Sequence, residues 1–252
     1  MRDPSPFRAI LDRENAIFAE HDYDTYHFNR YDYVIRKCLT YRPSPTTTVL
    51  DVGRSTLTLK LCQHYRRVTS LGFPLTSEEK EASARLMAAS TAMLDHLEFD
   101  LNDSRMVDRL DRDGKFDLIV FAETIEHLVA PPECALNFLK SLLVSDGIII
   151  CQTPNAVALH KRIKILCGYN PYERLRINSL EPGHIREYTK LELIEIGQSV
   201  RLQVIEHEYR DYFGGEGSKI RRMSIAASKA ISSVIPSLSR GQTIIYRKAN
   251  DE

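Results

Sequence analysis

The sequence of residues 116–128 is FDLIVFAETIEHL, an apolar run that ends abruptly at Glu123, Glu126 and His127. A run of this length and character is typical of a buried strand in an α/β protein. In open α/β sheets, ligands bind beyond the carboxyl ends of the strands. We therefore predict a functional site where this strand ends. Two carboxylates and an imidazole at one point indicate either proton transfer or a bound metal ion.

The rest of the chain alternates between strand-like and helix-like segments. This alternation predicts an α/β fold, with a doubly wound, mostly parallel, seven-stranded sheet covered by helices on both faces. The predicted strands are 48–52, 68–71, 95–99, 116–121, 148–151, 202–209 and 243–246. The predicted helices are 57–62, 77–89, 132–143, 189–198 and 219–234.

The bulk composition suits one domain over residues 1–252. Within it we distinguish a helical, aromatic-rich extension at 1–45, an acceptor-side insertion at 156–188 and a basic helical insertion at 214–238. The formal net charge of +0 gives no electrostatic reason to expect a nucleic-acid partner.

The sequence also predicts a cytoplasmic location. No apolar run approaches the length of a membrane span, and the N-terminus lacks the apolar core of a signal peptide. The five cysteines are scattered and form no CxxC pair. They indicate reduced, mostly buried thiols rather than a disulfide framework or a zinc site.

A glycine turn follows the first predicted strand, in the sequence VLDVGRS at residues 49–55. A glycine at this position allows the backbone to approach a ligand, and the N-terminus of the next helix attracts an anionic group. A single glycine between a strand and a helix is also common in turns that bind nothing. This motif alone leaves both interpretations open.

Four segments together resemble class I S-adenosylmethionine-dependent methyltransferases. They are VLDVG at 49–53, FDLN at 99–102, FDLI followed by ETIEH at 116–127, and TPN at 153–155. The resemblance covers residues 49–209 and is closest to the branch of ubiquinone-biosynthesis O-methyltransferases and bacterial glycan-associated methyltransferases. The sequence GHIREYTK at 183–190 is similar to that branch too. The resemblance implies a Rossmann-like fold and S-adenosylmethionine as the cofactor.

The resemblance also implies which residues hold the cofactor. They are Asp51, Gly53, Ser55, Phe73, Asp100, Leu101 and Ala122. The sequence departs from the family at two places. Ser55 and Leu57 stand where the family usually has further glycines. Gly72 and Phe73 stand at the end of the second strand, where the family usually has an acidic residue for the ribose hydroxyls.

The residues Glu123, Glu126 and His127 have three possible roles. The two glutamates could simply stabilise a helix N-terminus, with His127 a partly buried helix residue. His127 could act as the general base for an acceptor hydroxyl, with Glu123 and His184 beside it. The small-RNA 2′-O-methyltransferases show a similar Glu-x-x-Glu-His arrangement that binds Mg²⁺ with a later histidine, which here is His184. That resemblance implies a Mg²⁺ or Mn²⁺ site formed by Glu123, Glu126, His127 and His184.

Three further segments have both a functional and a structural interpretation. Thr189 and Glu192 form a capping-box pattern, which leaves His184 in the loop before the helix. The basic and aromatic residues of 156–188 suit either an acceptor wall or a solvated surface. Residues 217–250 contain seven basic residues and no acidic one. A basic amphipathic helix there could contact a membrane, or pack on its own domain with a basic solvent face.

Taken together, the sequence predicts an S-adenosylmethionine-dependent O-methyltransferase. Its expected acceptor is a sugar hydroxyl in bacterial surface-glycan or glycolipid synthesis, which the resemblance alone implies. The alternatives are a quinone, phenol or nucleic-acid O-methyltransferase, and a non-catalytic methyltransferase-like binding module. Neutral net charge weakens the nucleic-acid alternative.

Overall fold

The structure is a computed structural model that describes residues 21–89, 92–107, 115–176, 183–212 and 230–249. Its strands are β1 (Thr48–Val52), β2 (Arg67–Gly72), β3 (Met93–Glu98), β4 (Phe116–Ala122), β5 (Leu143–Pro154), β6 (Leu202–Arg210) and β7 (Gly241–Lys248). Its α-helices are α1 (His21–Tyr41), α2 (Thr56–Leu61), α3 (Ser77–Ala89), α4 (Pro132–Leu142), α5 (Leu159–Leu166) and α6 (Lys190–Ser199). Short 3-10 turns cover Leu101–Arg105, Ile125–His127 and Pro236–Leu238.

The seven strands form one sheet in the order β3-β2-β1-β4-β5-β7-β6. Strand β7 is antiparallel to both β5 and β6, and the other pairings are parallel. The predicted fold class and all seven predicted strands are confirmed. The chain reverses its direction of growth between β1 and β4, so the carboxyl ends of these two strands form the topological switch point where ligands bind in such sheets.

Two apolar layers cover the sheet because neighbouring residues of a strand face opposite sides. Leu50, Ile119 and Phe121 belong to the layer that also contains the buried side chains of α4 and α6. Val49 and Val120 belong to the layer that contains α1 and α2. The central strands β1 and β4 are thus buried on both faces, and only their ends are available to a ligand.

The helix predictions agree with the structure in most places. Helix α3 has the predicted bounds, and α1 lies within the predicted extension. Helix α5 lies in the insertion and was not predicted. It is short, and no side chain caps its first turn, so it lacks a start signal in the sequence. Most of the predicted helix 219–234 and of the basic stretch 217–250 lies outside the described residues.

The described part of the chain contains no helix that is both long enough and apolar enough to cross a bilayer. Three of the five cysteines, Cys38, Cys62 and Cys151, are buried, whereas Cys134 is half-buried and Cys167 is exposed.

Candidate active site

The turn after β1 provides open backbone at the switch point. Gly53 has a φ of +87°, a conformation that other residues rarely adopt, and a Cβ atom there would meet no described residue within 4 Å. Two residues earlier, Asp51 is buried and accepts a 2.6 Å hydrogen bond from the hydroxyl of Thr58. Burial raises the pKa of the Asp51 carboxyl to about 7. The turn therefore has room for a ligand next to its backbone, and the buried carboxyl of Asp51 lies two residues before it in the chain.

Ser55 is used by helix α2 itself. Its hydroxyl accepts a hydrogen bond from the backbone N–H of Leu57, and its own N–H donates to the hydroxyl of Thr58. This capping box gives Ser55 a structural role at one of the two positions where further glycines are usual. What the turn offers to a ligand is therefore backbone rather than the Ser55 side chain.

The ends of β2 and β3 form the neighbouring part of the switch-point edge. Phe73 is 69% exposed, and its carbonyl oxygen lies 2.8 Å from Nε2 of His96. Gly72 is paired with Glu98 in register, and a Cβ atom at Gly72 would meet nothing within 4 Å. An aromatic ring is thus presented at this edge next to an open position without a side chain.

The segment after β3 is fixed by its own hydrogen bonds. Asp100 accepts from the backbone N–H and the side-chain amide of Asn102, while Leu101 is buried. The side-chain oxygen Oδ1 of Asn102 in turn accepts from the backbone N–H groups of Val129 and Ala130. Asn102 therefore ties the loop after β3 to the loop after β4, a role that the sequence analysis missed.

The residue directly after β4 is strained. Glu123 has a φ of 51°, which is unusual for a residue other than glycine, and its N–H donates to the Gln152 carbonyl. Its Oε1 atom is buried and has no hydrogen-bond partner among the residues that the structure describes. Burial raises the pKa of this carboxyl. Half-buried Ala122 lies just before it, at the end of the strand. Backbone strain of this kind is concentrated at functional sites.

Glu126 connects β4 to the loop that contains His184. Its side chain is fully buried, and Oε2 accepts a 3.0 Å hydrogen bond from the hydroxyl of Thr153. Its backbone carbonyl accepts from the N–H groups of Ile185 and Arg186. The Oε1 atom has no hydrogen-bond partner within the described ranges. Burial and the nearby charge of Glu123 raise the pKa of Glu126 well above its usual value.

Glu126, His127 and His184 are brought together although 57 positions separate the two histidines in the sequence. One potential ligand atom from each of the three residues lies within 4.8 Å of the others. The two imidazole rings meet edge to face, with centroids 4.9 Å apart. Glu123, which the sequence grouped with them, is outside this cluster.

Each histidine of this cluster has one ring nitrogen already engaged. Nδ1 of His127 donates to the Gly183 carbonyl at 2.9 Å, and Nδ1 of His184 lies 3.0 Å from a carboxylate oxygen of Glu187. Burial, followed by the proximity of His127, lowers the pKa of His184. In the neutral form of either ring, Nε2 then carries the lone pair, which can accept a proton or bind a metal ion.

Three charged residues at the site, Lys161, Glu187 and Arg30, were not among the predicted site residues. Lys161 of α5 is almost fully buried, donates to the Asn155 carbonyl at 3.0 Å and forms an ion pair with Glu187. Arg30 of α1 is buried, and its charge opposes the rise in the pKa of Glu123. Burial lowers the pKa of Lys161 to about 8. The spacing His-x-x-Glu at 184–187 was the only sequence signal for any of these contacts.

Two open cavities lie near the cluster, and one of them is lined by His184 itself. One, of about 470 Å³, is lined by residues that include Tyr172, His184, Arg186 and Glu187. The other, of about 670 Å³, lies between the loop after β4 and α6. Both volumes are within the usual range for small-ligand sites.

The comparisons with known proteins agree with this geometry. A family model described as a methyltransferase domain matches residues 23–207, which is more than half of the chain. None of the curated proteins matches the sequence. Among solved structures, the chain aligns over 98% of its length with 97% of a chain from the complex between the Haloferax volcanii Trm112 methyltransferase activator and a methyltransferase. That match has a TM-score of 0.60 and 13% identity.

Two further structures have the same fold. One is the N-methyltransferase NodS of Bradyrhizobium japonicum in complex with S-adenosyl-L-homocysteine. The alignment covers 97% of this chain and 99% of the NodS chain, with a TM-score of 0.56 and 16% identity. An S-adenosylmethionine-dependent methyltransferase of Clostridium acetobutylicum aligns with 97% of this chain over 98% of its own, at a TM-score of 0.54 and 13% identity. Identities this low show the fold, and the family model shows the family. The chain therefore belongs to the methyltransferase-domain family and is an S-adenosylmethionine-dependent methyltransferase.

Proposed function

We propose that this methyltransferase transfers the methyl group to an oxygen, the hydroxyl of a sugar in bacterial surface-glycan or glycolipid synthesis. The observation that supports the oxygen is the cluster of Glu126, His127 and His184 at the end of β4. An alcohol must lose a proton during methyl transfer, and this cluster offers groups that can accept that proton or lower the pKa of the hydroxyl. The sugar is supported by the resemblance to glycan-associated methyltransferases and by the lining of the adjacent cavity.

The cofactor fits the open turn after β1. The positive φ and free space of Gly53 leave room for the methionine part of S-adenosylmethionine along the backbone. Asp51 holds the following helix through Thr58, so the turn stays in place when the cofactor leaves. Exposed Phe73 supplies an apolar surface for the nucleoside. When bound, the cofactor provides an activated sulfonium methyl group, so the protein mainly aligns the reactants.

Glu98 compensates for the missing acid at the end of β2. The usual ribose-binding carboxylate lies about 20 residues after the glycine turn, and here that place is Gly72 and Phe73. Glu98 is exposed at the end of β3 and is paired in register with Gly72, the last residue of β2. The next residue, Phe99, still donates its N–H to the Gly72 carbonyl at 2.9 Å, so Glu98 lies directly beside Gly72. Neighbouring strands are about 4.8 Å apart, a distance that a glutamate side chain spans.

In this proposal the acceptor enters through the cavity of about 470 Å³ beside His184. Tyr172 contributes an aromatic ring to it, and Glu173, Arg186 and Glu187 contribute charged groups. Several hydrogen-bonding groups around an aromatic face suit an acceptor with many hydroxyls. His184 is shared between this cavity and the cluster, so a bound sugar lies within reach of His127.

The charges around the cluster suit a divalent cation. Glu123, Glu126 and Glu187 provide three carboxylates, and the basic side chains nearest to them in the described structure are Lys161 and Arg30. A buried negative charge that is not compensated is costly, so the site either retains a proton or binds a cation. Within the described residues, Oε1 of Glu126 has no hydrogen-bond partner, and His127 and His184 each use Nδ1 for another contact. This carboxylate oxygen and the two Nε2 atoms form a donor set that suits Mn²⁺ or Mg²⁺. Such an ion would lower the pKa of a coordinated hydroxyl.

An acceptor screen that detects S-adenosylhomocysteine tests this proposal. We expect release with sugars that carry neighbouring hydroxyls, and its loss in the variant His127→Ala. Because one structural neighbour is an N-methyltransferase, amines belong in the same screen, together with quinols and oligonucleotides. Release with amines alone would contradict oxygen as the acceptor. Calorimetry that finds no S-adenosylmethionine binding at millimolar cofactor would instead support a non-catalytic module.

A further inference from the structure

Residues 162–176 form a projection at the edge of the acceptor cavity, which we call the α5 projection. It contains the end of α5 and the segment that follows, and every residue in it except Pro171 is exposed. Its base is anchored, because Nε of Arg162 donates to the Val157 carbonyl and the Tyr172 hydroxyl donates to the Ala156 carbonyl. The projection is therefore held to the domain at two points beside the cavity.

The α5 projection exposes several large apolar side chains to solvent. Leu166 is 86% exposed, Tyr169 is 70% exposed, and Ile163, Ile165 and Leu175 are each at least half exposed. Single exposed apolar residues are common, but a group this close together in sequence indicates a contact surface. Ile163 and Leu166 are three positions apart in a helix, so they lie on the same face.

The conformation of the projection is fixed by its backbone. Helix α5 ends at Leu166, and Gly168, two residues later, has a φ of +79°. The N–H groups of Cys167 and Tyr169 donate to the carbonyls of Ile163 and Lys164. This arrangement is a common helix C-terminus, stabilised by a left-handed glycine. The apolar side chains at the end of α5 are thus presented by a capped helix rather than by an irregular loop.

The charges of the projection are mostly of one sign. Arg162, Lys164, Arg174 and Arg176 are basic, and Glu173 is the one acidic residue between positions 162 and 176. Basic residues interleaved with exposed leucine, isoleucine and tyrosine are typical of helices that lie in the interface of an anionic membrane. A second copy of this surface would be repelled by its own positive charge, whereas anionic lipid headgroups complement it.

We propose that the α5 projection docks this methyltransferase onto an anionic membrane surface. Ile165, Leu166 and Tyr169 enter the headgroup region, and the four basic side chains contact the lipid headgroups. Leu166 lies five residues beyond buried Lys161, about 7.5 Å along the helix axis, so docking brings the acceptor cavity close to the membrane. This inference does not depend on the proposed reaction, and it concerns a different segment from the basic stretch 217–250.

Vesicle sedimentation of the full chain tests the proposal. We expect the protein to sediment with vesicles of three parts phosphatidylcholine to one part phosphatidylglycerol, and to stay in solution with phosphatidylcholine alone. Added salt should weaken the binding because it screens the charges. The double variant Ile165→Ser, Leu166→Ser should reduce the fraction bound to the anionic vesicles at least tenfold, since it removes two of the three apolar side chains that enter the headgroup region.

The matched control is Leu191→Ser, because Leu191 is 69% exposed on α6 and is not part of the projection. It should bind vesicles as the unchanged protein does. Thermal unfolding and S-adenosylmethionine binding should be the same in all three proteins, which separates loss of docking from loss of the fold. Equal vesicle binding by the double variant would overturn the proposal. So would a dimer in light scattering that the double variant converts to a monomer, because the surface would then join two copies of the chain.

Discussion

Nδ1 of His127 donates a hydrogen bond to the backbone carbonyl of Gly183, at 2.9 Å and across 56 positions of sequence. A carbonyl oxygen only accepts, so this bond places the ring proton on Nδ1 and leaves the lone pair on Nε2. Gly183 has a φ of +87°, which aims its carbonyl at the histidine from a conformation that suits glycine. The orientation of His127 therefore depends on a turn in a distant loop.

The variant Gly183→Ala should reduce methyl transfer without weakening cofactor binding. Among the described residues, a Cβ atom there meets only an oxygen of Glu173 at 3.6 Å, so the cost comes from the backbone and amounts to about 1–2 kcal/mol of stability. The matched control is Gly168→Ala, which has a similar φ of +79° and open space. Turnover and S-adenosylmethionine affinity should be measured for both. Equal turnover in the two variants would show that the Gly183 turn does not orient the site.

Lys161 should be required for the acceptor side of the site. Replacing it with methionine leaves Glu187 buried without its ion-pair partner, and breaking a buried pair typically costs about 3–5 kcal/mol. Glu187 would then no longer hold His184 in place. Chemical unfolding should show a large destabilisation for Lys161→Met and little for the exposed control Lys164→Met.

A double variant separates the structural role of Lys161 from its effect on the site. Adding Glu187→Gln to Lys161→Met removes the unpaired charge, so much of the lost stability should return. Methyl transfer should stay low, because the carboxylate that holds His184 is then absent. Recovery of turnover together with stability would contradict the role in positioning.

Glu98→Gln should weaken S-adenosylmethionine binding about tenfold or more, because it removes a charged acceptor from the ribose. Calorimetry measures this directly, and Glu78→Gln on the exposed start of α3 is the control. The second variant Gly72→Asp, made in the Glu98→Gln background, should restore much of the affinity, since there is open space at Gly72. Unchanged affinity in Glu98→Gln would remove this residue from the cofactor site.

Asp51 should make the stability of the ligand-free protein depend on pH. Burial raises its pKa in the folded state from 3.8 to about 7, so the folded protein retains a proton that the unfolded chain has released. The stability contribution of this proton is complete below about pH 4 and is lost as the pH rises through about 7. Relative to Asp51→Asn, the unchanged protein should therefore lose stability from about pH 4 to about pH 7 in urea unfolding. Parallel pH profiles for the two proteins would contradict the raised pKa.

The sequence predicted the sheet and the edge where the site lies, because those depend on local patterns. The apolar run of β4, and the capping box of Thr189 and Glu192, are formed by neighbouring residues and are confirmed. The pairing of His127 with His184 was predicted only through a resemblance.

The charged surroundings of the cluster could not be predicted in the same way. Arg30 reaches the site from α1, and Lys161 reaches it from a helix too short to have a clear periodicity. Their positions depend on how distant elements pack. The conformation of Glu123 is a further example, since no local pattern indicates a positive φ at a glutamate.

Manganese binding to the ligand-free protein tests the proposed role of the Glu126, His127 and His184 cluster most directly, because it needs no knowledge of the acceptor. Electron paramagnetic resonance of a Mn²⁺ titration should show one bound ion per chain. Binding should be lost in Glu126→Gln and in His184→Ala, and kept in the control Glu173→Gln, which changes an exposed carboxylate near the cavity. No binding at millimolar Mn²⁺, or equal binding in all four proteins, would contradict a metal site at this cluster.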